Sequence, residues 1–131
     1  MAMGVRFLTA DYMDAASATL ADDAAFQAKI GTTELGLQFE VDETPSGEII
    51  TYYLHVWGGA ATMKLGRLDG PDATIKSSLT TATAISRGDL NVQMALMTGK
   101  IKVDGSMAVL MLNQGLLMQW GSSMSHLDIV Y

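Results

Sequence analysis

The sequence predicts an α+β fold in which helices cover one face of a mostly antiparallel sheet. Three observations carry this. An Ala-rich opening places apolar residues at helical spacing. From position 33 the apolar period changes to two and stays so through four segments. Beyond position 80 the helical period returns, interrupted by one further alternating segment. The order is helix, four strands, helices, strand, helix.

Residues 11–30 contain neither Gly nor Pro. Asp11 or Thr9 caps the start, and Asp14 suits the positive end of the helix dipole. Met13, Ala16, Leu20 and Ala24 fall on one stripe, as do Phe26 and Ile30. Asp22-Asp23 interrupt the helix and Gly31 ends it. In TELGLQFEVD, Leu35, Leu37, Phe39 and Val41 point one way; Glu34, Gly36, Gln38 and Glu40 point the other. ETPSGE is a turn. IITYYLHVW is a second strand, rich in β-branched and aromatic residues, and Gly58-Gly59 breaks it. ATMKLGR alternates with Met63 and Leu65 inward, DGPD is a loop, and ATIKSSLT is a fourth strand with Ile75 and Leu79 inward. TTATAISRGD reads as a weak helix. Asn91 caps the short helix VQMALMT, which Gly99 closes. KIKVD is a fifth strand with Ile101 and Val103 inward. Ser106 or Gly105 starts a last helix from Met107 to Trp120.

The chain is 131 residues long, enough for one domain, 1–131, with a substantial core. Fourteen acids against eight bases leave a net charge of −6. That argues against a nucleic-acid partner, which would require a basic face, and against electrostatic docking on an anionic membrane. With no cysteine there is neither a disulfide framework nor a thiolate metal site, and two histidines make a poor metal centre. No secretory signal is visible and no apolar run is long enough to span a bilayer, so an intracellular, cytoplasmic protein without stable membrane insertion is expected.

The last helix is the unusual element. From Met107 to Trp120 only Asn113, Gln114, Gly115 and Gln119 are not apolar. A surface helix normally keeps a broad polar face. Such a helix is expected to be covered on several sides, and a domain of this size has few other elements to do so. A partner chain or an apolar ligand is the expected cover. Of ten methionines, six lie in the last third: Met94, Met97, Met107, Met111, Met118 and Met124. Methionine is flexible and polarizable, and it suits a surface that must fit several shapes.

LNVQMALMTGKIKVDGSMAVLMLNQ resembles the signature segment of the sterol-carrier-protein, or nonspecific lipid-transfer, family. Its parts are the short helix ending at Thr98, Gly99-Lys100, the strand Ile101 to Val103, and the turn Gly105-Ser106-Met107. FLTADYMDAASATLADDAAF is similar to the first helix of bacterial members, and the strand order also fits. The helix TTATAISRG departs from the pattern in being small and polar, and the tail from Gly121 is longer and more apolar than a simple ending. The resemblance implies a five-stranded sheet backed by helices, with a hydrophobic tunnel between. It implies an apolar ligand (a sterol, fatty acid, acyl-CoA or isoprenoid), no chemistry and no cofactor.

Periodicity then selects the lining of that tunnel: Phe39, Leu54 and Val56 on the sheet, with Met94, Met97, Ile101, Met107, Leu110, Met111 and Leu117 on the helices and fifth strand. Trp120 belongs near the opening, since an indole suits a boundary. The alternative reading is a dimerisation or accessory domain supporting a separate enzyme, with a homodimer burying the apolar helix. Ser122 to Asp128 bring Ser, His and Asp together along the chain, but sequence neighbours do not form a triad and no G-x-S-x-G elbow is present. His55 reads as a partly exposed sheet residue beside Tyr53 and Trp57.

Overall fold

The computed structural model describes residues 4–124 and 127–131. A two-residue strand, β1 (Val5–Arg6), leads into the first helix. Thr9 has extended backbone and its hydroxyl accepts a hydrogen bond from Tyr12 N, the geometry of an N-cap. α1 (Ala10–Asp22) buries Tyr12, Met13, Ala16 and Leu20 along one stripe. Asp23 stops it: its backbone leaves the helical region, and its carboxylate accepts from Phe26 N at 3.1 Å. α2 (Ala24–Ile30) follows at once. The interruption expected at Asp22-Asp23 is thus a single aspartate that ends one helix and caps the next.

Five strands form the main sheet: β2 (Leu35–Asp42), β3 (Ile50–Trp57), β4 (Ala60–Leu65), β5 (Ala73–Ser78) and β6 (Ile101–Gly105). Their order is β4-β3-β2-β5-β6. β2 and β5 run parallel, and the other three pairings are antiparallel. β3 and β4 are joined by a tight hairpin across Gly58 and Gly59, whose φ angles of 59° and 79° suit glycine and match the twist of the strands.

Cross-strand register puts the expected inward residues of the strands on one face, Leu79 excepted. Leu37 pairs with Leu54 and Ala73, Leu54 with Met63, Phe39 with Tyr52 and Ile75, and Ile75 with Val103. α1 lies across the edge strand β4. There Ser17 Oγ donates to Met63 O (3.1 Å) and accepts from Met63 N (2.9 Å), so the helix satisfies backbone groups that an open edge would leave free.

The opposite face is not simply solvated, as alternation alone implied. Gln38 is buried. Its Nε2 donates to Tyr52 O and Gly66 O, and its Oε1 accepts from Leu68 N at 2.7 Å. These bonds pin the segment 66–72 over the back of β2. At its end Asp72 Oδ2 accepts from Gly36 N (2.8 Å), and Asp72 O accepts from Ser106 N (2.9 Å), which fixes where the last helices begin.

Two element boundaries differ from the sequence expectation. β5 ends at Ser78, not Thr80, because the Ser78 hydroxyl accepts from Thr81 N and caps α3 (Leu79–Ser86). Leu79 is therefore helical. α4 (Val92–Met97) follows, capped by Asn91 as expected. The long final helix is two: α5 (Met107–Leu112) and α6 (Gln114–Met124). Asn113 separates them. Its side-chain amide donates to Val109 O at 2.8 Å, a local bond that competes with helical continuation. β7 (Ile129–Val130) then pairs parallel with β1 and ties the tail to the start of the described chain.

Replacing Gln38 by Leu keeps the size of the side chain but leaves the Leu68 N–H and two carbonyls without their partner. The expected loss is about 1–3 kcal/mol, read as a lower urea midpoint with an unchanged slope.

Candidate functional site

The inward face of the sheet has two unequal halves. Under α1 and α2 it is filled solid. Leu35, Leu54, Val56 and Met63 interlock with Met13, Ala16, Leu20, Phe26 and Ile30, and each of these is at most 2% exposed. On the other half Ile75 and Val103 are only partly buried, and the covering elements are short. α3 brings small side chains, α4 has six residues, and α5 buries none of its side chains. Two adjoining cavities of about 140 Å³ and 260 Å³ lie there. They share Ile75, Val92, Ile101 and Leu117 as common wall. Together they come near the lower end of small-molecule sites, roughly 300–1,000 Å³.

The inner cavity runs along Phe39, Tyr52 and Ile75 of the sheet, under Ala82 and Ile85 of α3 and Leu117, Trp120 and Met124 of α6. The outer one lies between β6 and α5, against Val103, Met107, Leu110, Met111 and Met118. Among the described residues no charged one lines either. The tail closes one end of the inner cavity. Phe7, part of its wall, lies 5.2 Å from the Tyr12 ring and 5.1 Å from the Tyr131 ring, and the Tyr131 and Ser86 hydroxyls are 2.7 Å apart. The apolar tail noted in the sequence thus packs against this end.

Of the residues expected to line a tunnel, the structure brings six together around these spaces. Phe39 borders the inner one, Met107, Leu110 and Met111 the outer one, and Ile101 and Leu117 both. The other four stand elsewhere. Leu54 and Val56 are 0% exposed and locked in the solid half. Met94 and Met97 border neither cavity and face solvent, Met97 being 83% exposed. In α4 it is Ala95 that is buried and Val92 and Leu96 that border the space. Nor is the apolar helix surrounded: Leu112 and Met118 are 84% and 75% exposed. The residues missed by periodicity include Tyr12, Tyr52, Ile75 and Val92. Tyr52 and Ile75 could have been found from register, since both sit opposite Phe39.

An aromatic group forms one wall. Tyr52 stacks on Phe39 at 4.7 Å, and Trp120 leans on the same ring at 5.4 Å. Three polar hydrogens belong to the aromatic side chains of this wall, besides the hydroxyls of Ser77 and Ser86. The Trp120 indole N–H is buried with no acceptor among the described residues. Leaving such a donor unmet costs about 1–3 kcal/mol. The Tyr52 hydroxyl makes no hydrogen bond with any described residue, and that of Tyr12 has only Met124 Sδ at 4.0 Å. Burial holds both phenols above the ordinary phenol range; the Tyr131 hydroxyl adds to the effect at Tyr12, and Tyr12 adds to it at Tyr52. His55 stacks on Trp57 at 6.2 Å on the far face, away from the cavities. Ser125 and His126 of the Ser-His-Asp stretch lie outside the described residues. Among the described residues no group of three or more His, Asp or Glu could hold a metal ion, and no helix is long and apolar enough to cross a membrane.

A mixed five-stranded sheet with helices on one face, and uncharged cavities beneath them, defines an α+β fold built around apolar internal space. The chain belongs to the SCP-2 sterol transfer family, whose model matches residues 13–118. Membership supports lipid binding or transfer as its kind of work. Sterol carrier protein 2 of Gallus gallus is 30% identical over 85 residues, which are 65% of this chain and 16% of that protein. A crystal structure of sterol carrier protein 2 superposes with a TM-score of 0.79 at 22% identity, covering 93% of this chain and 99% of the other. A conserved hypothetical protein from Thermus thermophilus does so at 0.79 and 21%, covering 98% and 94%. At these identities the two structures speak for the fold.

Both phenols favour the protonated form when folded, so their contribution to stability is complete below the unfolded phenol pKa of about 10 and declines as pH rises above it. Each adds up to about 1.4 kcal/mol per pH unit to that decline. Urea unfolding of the Tyr52→Phe variant above about pH 10 is expected to show a shallower alkaline limb than the parent, with no difference in slope at neutral pH.

Proposed function

We propose that residues 1–131 act as one lipid-binding unit. It takes a sterol, fatty acid, acyl-CoA or isoprenoid into the hollow half of the fold and carries or presents it in the cytoplasm, without altering it. The observation that carries this reading is the pair of adjoining cavities with no charged residue in their walls among the described residues. The six bordering residues expected from the sequence, with Tyr52, Ile75, Val92 and Trp120, are the proposed ligand contacts.

The energetics suit a carrier. About ten buried methylenes at ~0.8 kcal/mol each supply ~8 kcal/mol gross. Association costs roughly 4 kcal/mol or more. The remainder, about 4 kcal/mol or less, corresponds to millimolar or weaker binding from chain burial alone, and each further contact tightens it. Flexible methionines around the outer cavity let that space follow ligands of different girth. A carrier of this kind needs release as much as capture.

One observation favours a second reading. Met97, Met111, Leu112 and Met118 are all largely exposed, and bare apolar side chains that adjoin one another mark interaction surfaces. A second copy, or an enzyme that the domain supports, would cover it. Under that reading the cavities stay empty and the exposed face does the work.

Leu117 borders both cavities, so a larger side chain there intrudes on the shared space. Leu117→Trp is expected to weaken binding of a fluorescent fatty acid by at least about tenfold while the far-ultraviolet spectrum and the melting transition persist. Undiminished binding in the folded variant would remove the cavities from the site.

A further inference from the structure

We propose that the inner cavity recognises a neutral oxygen, a carbonyl or hydroxyl on an apolar body, and discriminates against a carboxylate at that position. This rests on the lipid-binding reading and names the chemistry of the ligand's inner end.

The argument starts from donors that lack acceptors. The Trp120 N–H is buried and unpartnered among the described residues. Tyr52 is 8% exposed, borders the inner cavity, and its hydroxyl bonds to no described residue. Tyr52 and Trp120 both pack on Phe39, at 4.7 and 5.4 Å, so the two donors belong to a single patch of wall. Tyr12, in the same cavity, offers a third hydroxyl whose one described partner is a thioether. Thioether sulfur is a weak acceptor. A purely hydrocarbon ligand would leave the Trp120 N–H unmet and offer the two hydroxyls nothing better than a thioether. A buried polar group ordinarily has a partner, and an oxygen carried in by the ligand supplies it.

Charge decides which oxygen. Among the described residues the inner wall contains no Lys, Arg or His, so a carboxylate there would lose its hydration with none of these cations to replace it. The phenols themselves stay protonated through the physiological range and act as neutral donors. Neutral donors and an uncharged wall match a ketone, quinone, ester or alcohol oxygen. A fatty acid would instead keep its carboxylate at the solvent-facing end and insert its methyl end.

Displacement of Nile red by four probes of one chain length tests this: dodecane, the corresponding methyl ketone, dodecanol and dodecanoate at neutral pH. The ketone and alcohol are expected to bind roughly three- to tenfold more tightly than the hydrocarbon, the margin of one hydrogen bond. In Tyr52→Phe, which keeps the ring stacked on Phe39, that ratio is expected to shrink. Trp120→Phe gives the same comparison should Tyr52→Phe not fold. Equal affinity for ketone and hydrocarbon, a ratio that survives both substitutions, or dodecanoate binding most tightly would overturn the inference and leave lipid binding intact. Failure of Nile red and all four probes to bind the folded protein would overturn the lipid-binding reading, and this inference with it.

Discussion

A five-stranded sheet offers more apolar face than two N-terminal helices can cover, and the structure follows from how the excess is handled. α1 and α2 deliver Met13, Ala16, Leu20, Phe26 and Ile30 onto β2, β3 and β4, and there the packing is complete. Beyond Phe39 the sheet continues through Ile75 to Val103, and the helices over it are short, broken and rich in small or flexible side chains. A solid half holds the fold together. The hollow half is then free to hold something else.

That division explains why fold and cavity make different demands on the chain. Cavities in a core cost stability because their lining loses contacts. Here the loss is confined to one side of the Phe39–Tyr52 stack, and the other side stays dense. The fixed points around the hollow half are polar and local. Ser106 N meets Asp72 O, Asn113 ends α5, and β7 draws the tail back beside β1. Gly105 is one of them: at φ 104° a Cβ would stand 2.7 Å from Asp72 O, so only glycine lets the chain turn so closely from β6 into α5.

Much of the fold was legible in the sequence because period reports which face a residue takes. The four-strand run, the later single strand, the break at Asp22-Asp23 and the cap at Asn91 follow from local rules, and of the two candidate caps for the first helix, Asp11 and Thr9, it is Thr9 that caps. What period does not report is position along the sheet. Leu54 and Phe39 share a face, yet one lies under α1 and the other borders the cavity. The helical boundaries that were missed, at Ser78 and Asn113, depend on single side-chain bonds to the backbone. In α4 the stripe was misjudged because six residues make fewer than two turns. There the small Ala95 packs inward and Met94 and Met97 turn out. The two-residue strands β1 and β7 are too short for any period to show.

The apolar last helices hold the remaining tension. Their inner side borders the cavities and their outer side, at Leu112 and Met118, is bare. The central claim is that the inner side, not the outer, is where the function lies. Native mass spectrometry of protein purified gently from its own cells measures this directly. The account predicts a monomer carrying an adduct of lipid mass that organic extraction removes. A dimer with no such adduct, and no uptake of added lipid, would contradict it.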